Sequence, residues 1–185
     1  MGSIILVGVI AIVIIVFVTI YNRLVRLRNT VKSSWSDIDV QLKKRFDLVP
    51  SLVETVKGYA AHEKGVFERV TQARSAAMQA GSPKEAAEKE NIFRDTLKSL
   101  FAVAEAYPEL KANENFVQLQ NQFQALEDSI ESARRYYNAV VRDYNIVIES
   151  VPSNIVASMF NFKQEEFFQL ESEAERKPIK PDFSS

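Results

Sequence analysis

Hydrophobic and polar residues divide this chain into two regimes. From Ile4 to Ile20 the sequence is an almost unbroken run of Ile, Val and Leu, and no charged side chain occurs before Arg23. About 20 helical residues reach about 30 Å, the thickness of a bilayer's hydrocarbon core, so residues 1–22 are expected to form a transmembrane anchor. From Leu24 onward the apolar positions step mostly by three and four: Leu24, Leu27, Val31, Trp35, Ile38, Leu42, Phe46, Val49, Val53, Val56, Ala60, Phe67, Val70. That spacing is one face of a long helix. No turn signal separates it from the anchor, so one helix is expected to run from the membrane to Ala80, with about 80–90 Å beyond the bilayer if straight. Pro50 falls inside it. The missing N–H and the ring's clash with the preceding turn predict a kink near Asp47–Pro50, with a true break there as the alternative.

Gly81 closes this stretch, and Ser82-Pro83-Lys84-Glu85 reads as a capping box with Pro at the first helical position. The second helix carries Phe93, Leu97, Leu100, Phe101 and Ala104 and stops before Pro108. Asn113 is the expected N-cap of the third. There Phe116, Leu119, Phe123, Leu126, Ile130, Ala133, Tyr137, Val140, Tyr144, Val147 and Val151 alternate steps of three and four, the repeat of coiled-coil-like packing. Val141 and Ile148 widen that face, so the helix should touch two neighbours, as in a bundle. Pro152 ends it, and Ser153 is positioned to cap a short amphipathic helix over Ile155–Phe160. The tail from 163 to 185 alternates Phe and Glu before Lys-Pro-Ile-Lys-Pro-Asp, which reads as extended and poorly packed. The expected architecture is all-α. A transmembrane helix continues into an elongated antiparallel bundle of three or four helices over residues 23–162.

Composition refines the picture. A signal peptide would have a basic start and a small-x-small cleavage site; nothing basic precedes the run, and Thr19-Ile20-Tyr21-Asn22-Arg23 has no Ala-x-Ala. An uncleaved anchor is therefore expected, with Tyr21 at the interfacial aromatic belt. Gly2 does not complete a myristoylation motif, since Leu6 stands where Ser or Thr is required. Arg23, Arg26, Arg28 and Lys32 follow the anchor with no acid before Asp37. The positive-inside rule places the N-terminus outside and the helical domain in the cytoplasm. Five Gly and six Pro in 185 residues leave long helices uninterrupted, and a net charge of −1 carries no nucleic-acid footprint.

The chemistry-bearing residues point away from catalysis. The lone histidine, His62, has Tyr59 three residues before it, so no Glu-x-x-His exists for a di-iron site. One His and no Cys cannot build a common zinc or iron centre within this chain. Neither a Walker nor a dinucleotide Gly pattern occurs. No cofactor, metal or catalytic residue is expected. What remains are polar groups set in apolar helices. Asp37, Asp39, Gln41, Lys43, Lys44, Arg45 and Asp47 crowd the first helix, close after Trp35. On the third, Arg135-x-Tyr137-Asn138 recurs seven residues on as Arg142-x-Tyr144-Asn145. The Tyr rings should pack inward with hydroxyls on polar partners. The Asn pair should fix helix register. Read otherwise, the same residues form a protein-binding surface. Phe160, Phe162, Phe167 and Phe168 are dense for a surface segment; they read either as a flap over the end of the bundle or as a docking element.

At these residues the chain resembles the LemA family. The resemblance rests on YNRLVRLR (21–28), WSDIDVQLKKRFD (35–47), LVPSLVETVKGYAAHE (48–63), AEAYPELKANENF (104–116), RRYYNAVVRDYN (134–145) and PSNIVASMFNF (152–162). It covers about residues 4–168 and implies a bacterial membrane protein with one N-terminal span and an elongated helical bundle. No enzymatic activity comes with it. The expected function is a non-enzymatic scaffold that self-associates at the inner membrane. An adaptor for a membrane stress protease or sensor is the alternative, and a hydrolase or metal enzyme the reading from a different class. Expected partners are the lipid bilayer, further copies of the chain and a membrane protein, without nucleic acid.

Overall fold

A computed structural model describes residues 1–169. The described residues contain six helices and no strand: α1 (Gly2–Lys57), α2 (Lys64–Ala77), α3 (Pro83–Glu105), α4 (Pro108–Lys111), α5 (Glu114–Glu149) and α6 (Ser153–Met159). The chain is all-helical, as the periodicity requires. It divides into two compact units. One comprises Met1–Leu42 with Leu126–Phe167; the other comprises Lys43–Ala125 and takes up the chain again at Phe168.

The first unit holds the apolar run and the C-terminal half of α5. Ile4 to Val16 are exposed, and among the described residues α1 alone is long and apolar enough to cross a membrane. Burial begins at Leu24 and continues through Val31 and Ile38, facing Ile130, Tyr137, Val141 and Tyr144 as the buried positions of α5. The rings of Trp35 and Tyr137 lie 5.7 Å apart. Seven residues back on α1, Arg28 is close enough to influence Tyr144, seven residues forward on α5. The two helices therefore run antiparallel within this unit. The steps of seven at Ile130, Tyr137 and Tyr144 form the centre of the buried face, and Val141 widens it as expected.

The second unit shows where the long-helix expectation fails. The first helix does not continue to Ala80; it ends at Lys57, and α2 begins at Lys64. The step from Ala60 to Phe67 is seven residues, with no apolar residue at the register site between, where Glu63 and Lys64 stand. Gly58 and Gly65 flank the gap, and glycine weakens a helix by about 1 kcal/mol. The chain turns instead through Tyr59 N–H to the Val56 carbonyl, 3.0 Å, and Glu63 N–H to the Ala60 carbonyl, 3.0 Å. Pro50 is not the break: α1 passes through it.

The capping predictions hold at α3 and α5. Ser82 accepts from Glu85 N–H at 3.2 Å, and Glu85 reaches back to Gly81 N–H at 2.9 Å. Lys89, 2.6 Å away, and that N–H hold the Glu85 carboxyl below its ordinary range. Asn113 accepts from Phe116 N–H at 3.1 Å, and its amide donates to the Tyr59 hydroxyl at 3.0 Å. The helical turn α4, opened by Pro108, was not expected; Pro suits a first helical position as well as it ends a preceding helix. At α6 the expected cap needs correction. Ser153 is the first helical residue, and its single hydroxyl hydrogen is shared between the carbonyls of Val147 at 2.6 Å and Ser150 at 2.9 Å, closing the end of α5.

Candidate functional site

The polar residues singled out on α1 separate by burial. In the first unit Trp35 is half-buried against Tyr137, Asp37 and Asp39 are exposed, and Gln41 is half-buried. In the second unit Asp47 is exposed, with its carboxylate 4.0 Å from Arg74. Arg45 differs from all of these. It is 1% exposed and forms an ion pair with Glu90 of α3, itself 4% exposed. The guanidinium also lies 5.1 Å from the Phe93 ring centre and 5.5 Å from that of Phe46. The guanidinium thus lies against both rings, which touch each other edge to face at 5.3 Å. Rings of this kind favour a cation over their faces, and the carboxylate offsets the loss of water.

The sequence reading missed Glu90, although a signal existed. Ala86, Glu90, Phe93, Leu97, Leu100 and Ala104 alternate steps of four and three, and all six are buried. An acid in a heptad core position requires a buried partner. Arg45 occupies the matching register on α1, in the series Ile38, Leu42, Arg45, Val49, Leu52, Val56. It is therefore not part of a surface cluster.

A second polar device repairs the helix at Pro50. Proline offers no N–H to the carbonyl four residues earlier, which belongs to Phe46. Phe46 is buried, so water does not satisfy that carbonyl readily. Arg74 of α2 donates to it through Nε at 2.7 Å.

In the first unit the repeated Arg-x-Tyr-Asn residues divide by face. Arg135 and Arg142 are on the solvated side, paired with Glu131 at 3.3 Å and Asp143 at 2.9 Å. Asn138 is half-buried. Tyr137 and Tyr144 are buried. Tyr137 donates its hydroxyl to the Glu166 carbonyl at 2.8 Å, and Asn145 makes a two-bond rung with Glu165. Its Nδ2 donates to the Glu165 carbonyl at 3.0 Å, and its Oδ1 accepts from Glu165 N–H at 3.0 Å. Gln164 bonds to Glu149. As the chain advances from 164 to 166 its partners on α5 retreat from 149 to 137, so the segment runs antiparallel to α5.

The tail expectation therefore needs correction. Residues 163–168 are without helix, as expected, but they are not poorly packed: their backbone is clasped by Asn145 and Tyr137, and Phe168 is fully buried. Sequence pattern does not reveal this, because the bonds run from α5 side chains to tail backbone. The rest of the expected tail, 170–185, lies outside the described residues. Burial, reinforced by the carboxylates of Glu165 and Glu166, pushes the Tyr137 phenol up to about 12. Burial and then Glu165 raise Tyr144 as well, while Arg28 opposes the shift.

Just before the clasp the chain meets α1. Phe162 is buried beneath Arg28, whose guanidinium lies 4.8 Å from its ring centre, and 5.9 Å from the Tyr21 ring. Phe160 stacks against Tyr21 at 4.7 Å and Phe17 at 5.8 Å. Asn161, between them, adopts φ 55°, a left-handed conformation that Asn tolerates better than most residues. Among the described residues no group of three or more His, Cys, Asp or Glu is arranged to hold a metal ion.

Comparison with known proteins finds relatives over most of this chain. Two magnetosome proteins of Paramagnetospirillum magneticum, MamQ 1 and MamQ 2, are each 25% identical over 175 residues, covering 80% of this chain and 64% of their own length. Protein LemA of Metamycoplasma hominis is 28% identical over 165 residues, covering 87% of this chain and 74% of its own. The chain thus spans less than two thirds of the magnetosome relatives. A profile of the LemA family matches residues 34–183, from the turn of α1 before Trp35 past the segment clasped to α5. Since that match takes in the greater part of the sequence, the chain belongs to the LemA family.

Proposed function

We propose that this protein is a membrane-anchored helical scaffold that acts by association, first of all with copies of itself. The observation that carries the reading is the continuity of α1. One helix passes from an exposed apolar run, Ile4–Val16, into a buried face that begins at Leu24. A span joined to its domain by helix rather than by a flexible linker transmits position and orientation from the membrane to the domain. The distinctive polar groups also serve internal bonds: Arg45 holds Glu90, Arg74 holds the Phe46 carbonyl, and Tyr137 and Asn145 hold the tail. These arrangements support positioning rather than turnover. The location proposed is the bacterial inner membrane, with the N-terminus outside and Arg23, Arg26, Arg28 and Lys32 on the cytoplasmic side. Confinement to a membrane raises the effective concentration of copies without new contacts.

The test is the mass of the full-length protein in mild detergent and in lipid nanodiscs, by light scattering and electron microscopy, with crosslinking in native membranes. A discrete particle of several copies is expected. A monomer in all three settings would overturn self-association.

A further inference from the structure

The elbow between α5 and the clasped tail is apolar on its outer side. Val151 is 80% exposed, Ile155 58%, Met159 66% and Phe160 46%. The inner side of α6 is satisfied by Val156 and Ala157, both buried. Ile155 and Met159 are four residues apart and share the opposite face. A seven-residue helix facing water on that side would present polar groups there.

The position of Phe160 identifies what covers this face. Its ring lies 5.8 Å from Phe17, inside the apolar run, and 4.7 Å from Tyr21, at its end. Those two residues are one turn apart, about 6 Å along the helix axis. Phe160 is therefore level with the last turn of the span. Ile155 lies five residues away, an axial rise of about 7.5 Å. The headgroup layer of one leaflet is about 5–8 Å thick, and an interfacial helix buries its apolar face by about 5–10 Å. If α1 crosses the membrane, the face formed by Ile155, Met159 and Phe160 therefore lies in or beside the interfacial layer. Exposed Arg23 and Arg26 follow within two turns of Tyr21 and carry the charge that favours anionic headgroups.

We infer that α6 is a second membrane contact: Val151, Ile155, Met159 and Phe160 sit in the headgroup–acyl boundary of the leaflet that α1 leaves. The inference rests on α1 as the span. The occupant is lipid, because any protein covering this face would have to enter the headgroup layer to reach it. Two contacts, the span and the elbow, fix the tilt of the first unit and which side of α1 faces the bilayer surface, both of which a lone span leaves free.

The chain has no cysteine, so a single introduced thiol can be labelled cleanly. Ile155→Cys, Met159→Cys and Val13→Cys variants of the full-length protein carry an environment-sensitive nitrobenzoxadiazole dye in phosphatidylethanolamine–phosphatidylglycerol vesicles. Lipids spin-labelled near the headgroup should quench dyes at 155 and 159 at least twofold more than lipids labelled near the chain end. The order should reverse at 13. Water-like emission with full iodide quenching at 155 and 159 would overturn the inference while leaving the span intact. Shelter from iodide without quenching by either lipid would also overturn it, and would mean that protein covers the face. Absence of deep quenching at 13 would remove the span, and the second contact with it.

Discussion

The repair of α1 at Pro50 offers the sharpest test of how this fold is held. Replacing Arg74 with Met removes the Nε donor 2.7 Å from the Phe46 carbonyl and leaves that buried acceptor without a partner. Hydrogen bonds from charged donors contribute about 1.5–3 kcal/mol. The Arg74 side chain retains 23% exposure, so the lower half of that range applies, about 2 kcal/mol. The Asp47 carboxylate, exposed and 4.0 Å away, adds under about 1 kcal/mol. The same substitution in a Pro50→Ala background should cost only about 0.5 kcal/mol, because the backbone N–H restored at position 50 takes the carbonyl in the ordinary helical way. The loss is thus about 2.5 kcal/mol with the proline against about 0.5 without it, a coupling of about 2 kcal/mol. Thermal unfolding of the full-length protein in mild detergent, followed by circular dichroism, reads this as a Tm loss of about 5–10 °C against about 1–2 °C. Equal losses in the two backgrounds would refute the reasoning and assign Arg74 a packing role unrelated to the proline.

Three further outcomes are expected. Glu90→Gln or Arg45→Met alone should cost about 3–5 kcal/mol, whereas the combined Arg45→Met, Glu90→Leu protein should lie within about 1 kcal/mol of the parent in a denaturant titration. Asn145→Ala removes both bonds of the Glu165 rung and should cost about 2 kcal/mol; limited proteolysis should then cut near 163–166 while α5 stays intact. The raised Tyr137 phenol makes stability depend on alkaline pH. Below pH 10 both states hold the proton, and between pH 10 and about 12 the unfolded chain releases it first. Stability should therefore fall across that window by up to about 3 kcal/mol for this group. Tyr137→Phe should flatten the fall by that amount in denaturant titrations at stepped pH; an unchanged slope would contradict the assignment.

The predictable parts of this fold are those written in local pattern. A helix suited to a membrane needs only length and apolarity. The caps at Ser82 and Asn113 need only residues within one turn, and the heptads of α5 need only spacing. The long-helix expectation fails at Gly58–Glu63 because register lapses there: the seven-residue step from Ala60 to Phe67 keeps the helical phase, yet polar Glu63 and Lys64 fill the site between. Leu52 is buried and Val53 only half-buried for a related reason, since α1 packs on a strict three-four series that the run of apolar residues leaves at Phe46. Arg45 and Glu90 escape a reading in which charge means exposure. In a packed interior two opposite charges at matching register positions stabilise one another, and neither position betrays this alone.

The amino-acid sequence by itself determined that the chain is helical, that its first segment is suited to a membrane, where most helices start and stop, and to which family it belongs. Each of these follows from neighbours within a few turns or from whole strings of residues. Only the tertiary structure decided which polar residues face inward and what they hold. Glu90 and Arg45 are 45 residues apart, Arg74 and Phe46 are 28 apart, and Tyr137 reaches a backbone carbonyl 29 residues away. A backbone carbonyl is common to every residue type and leaves no mark in sequence. The clasped tail and the repaired helix therefore become visible only when folding brings donor and acceptor within hydrogen-bonding distance.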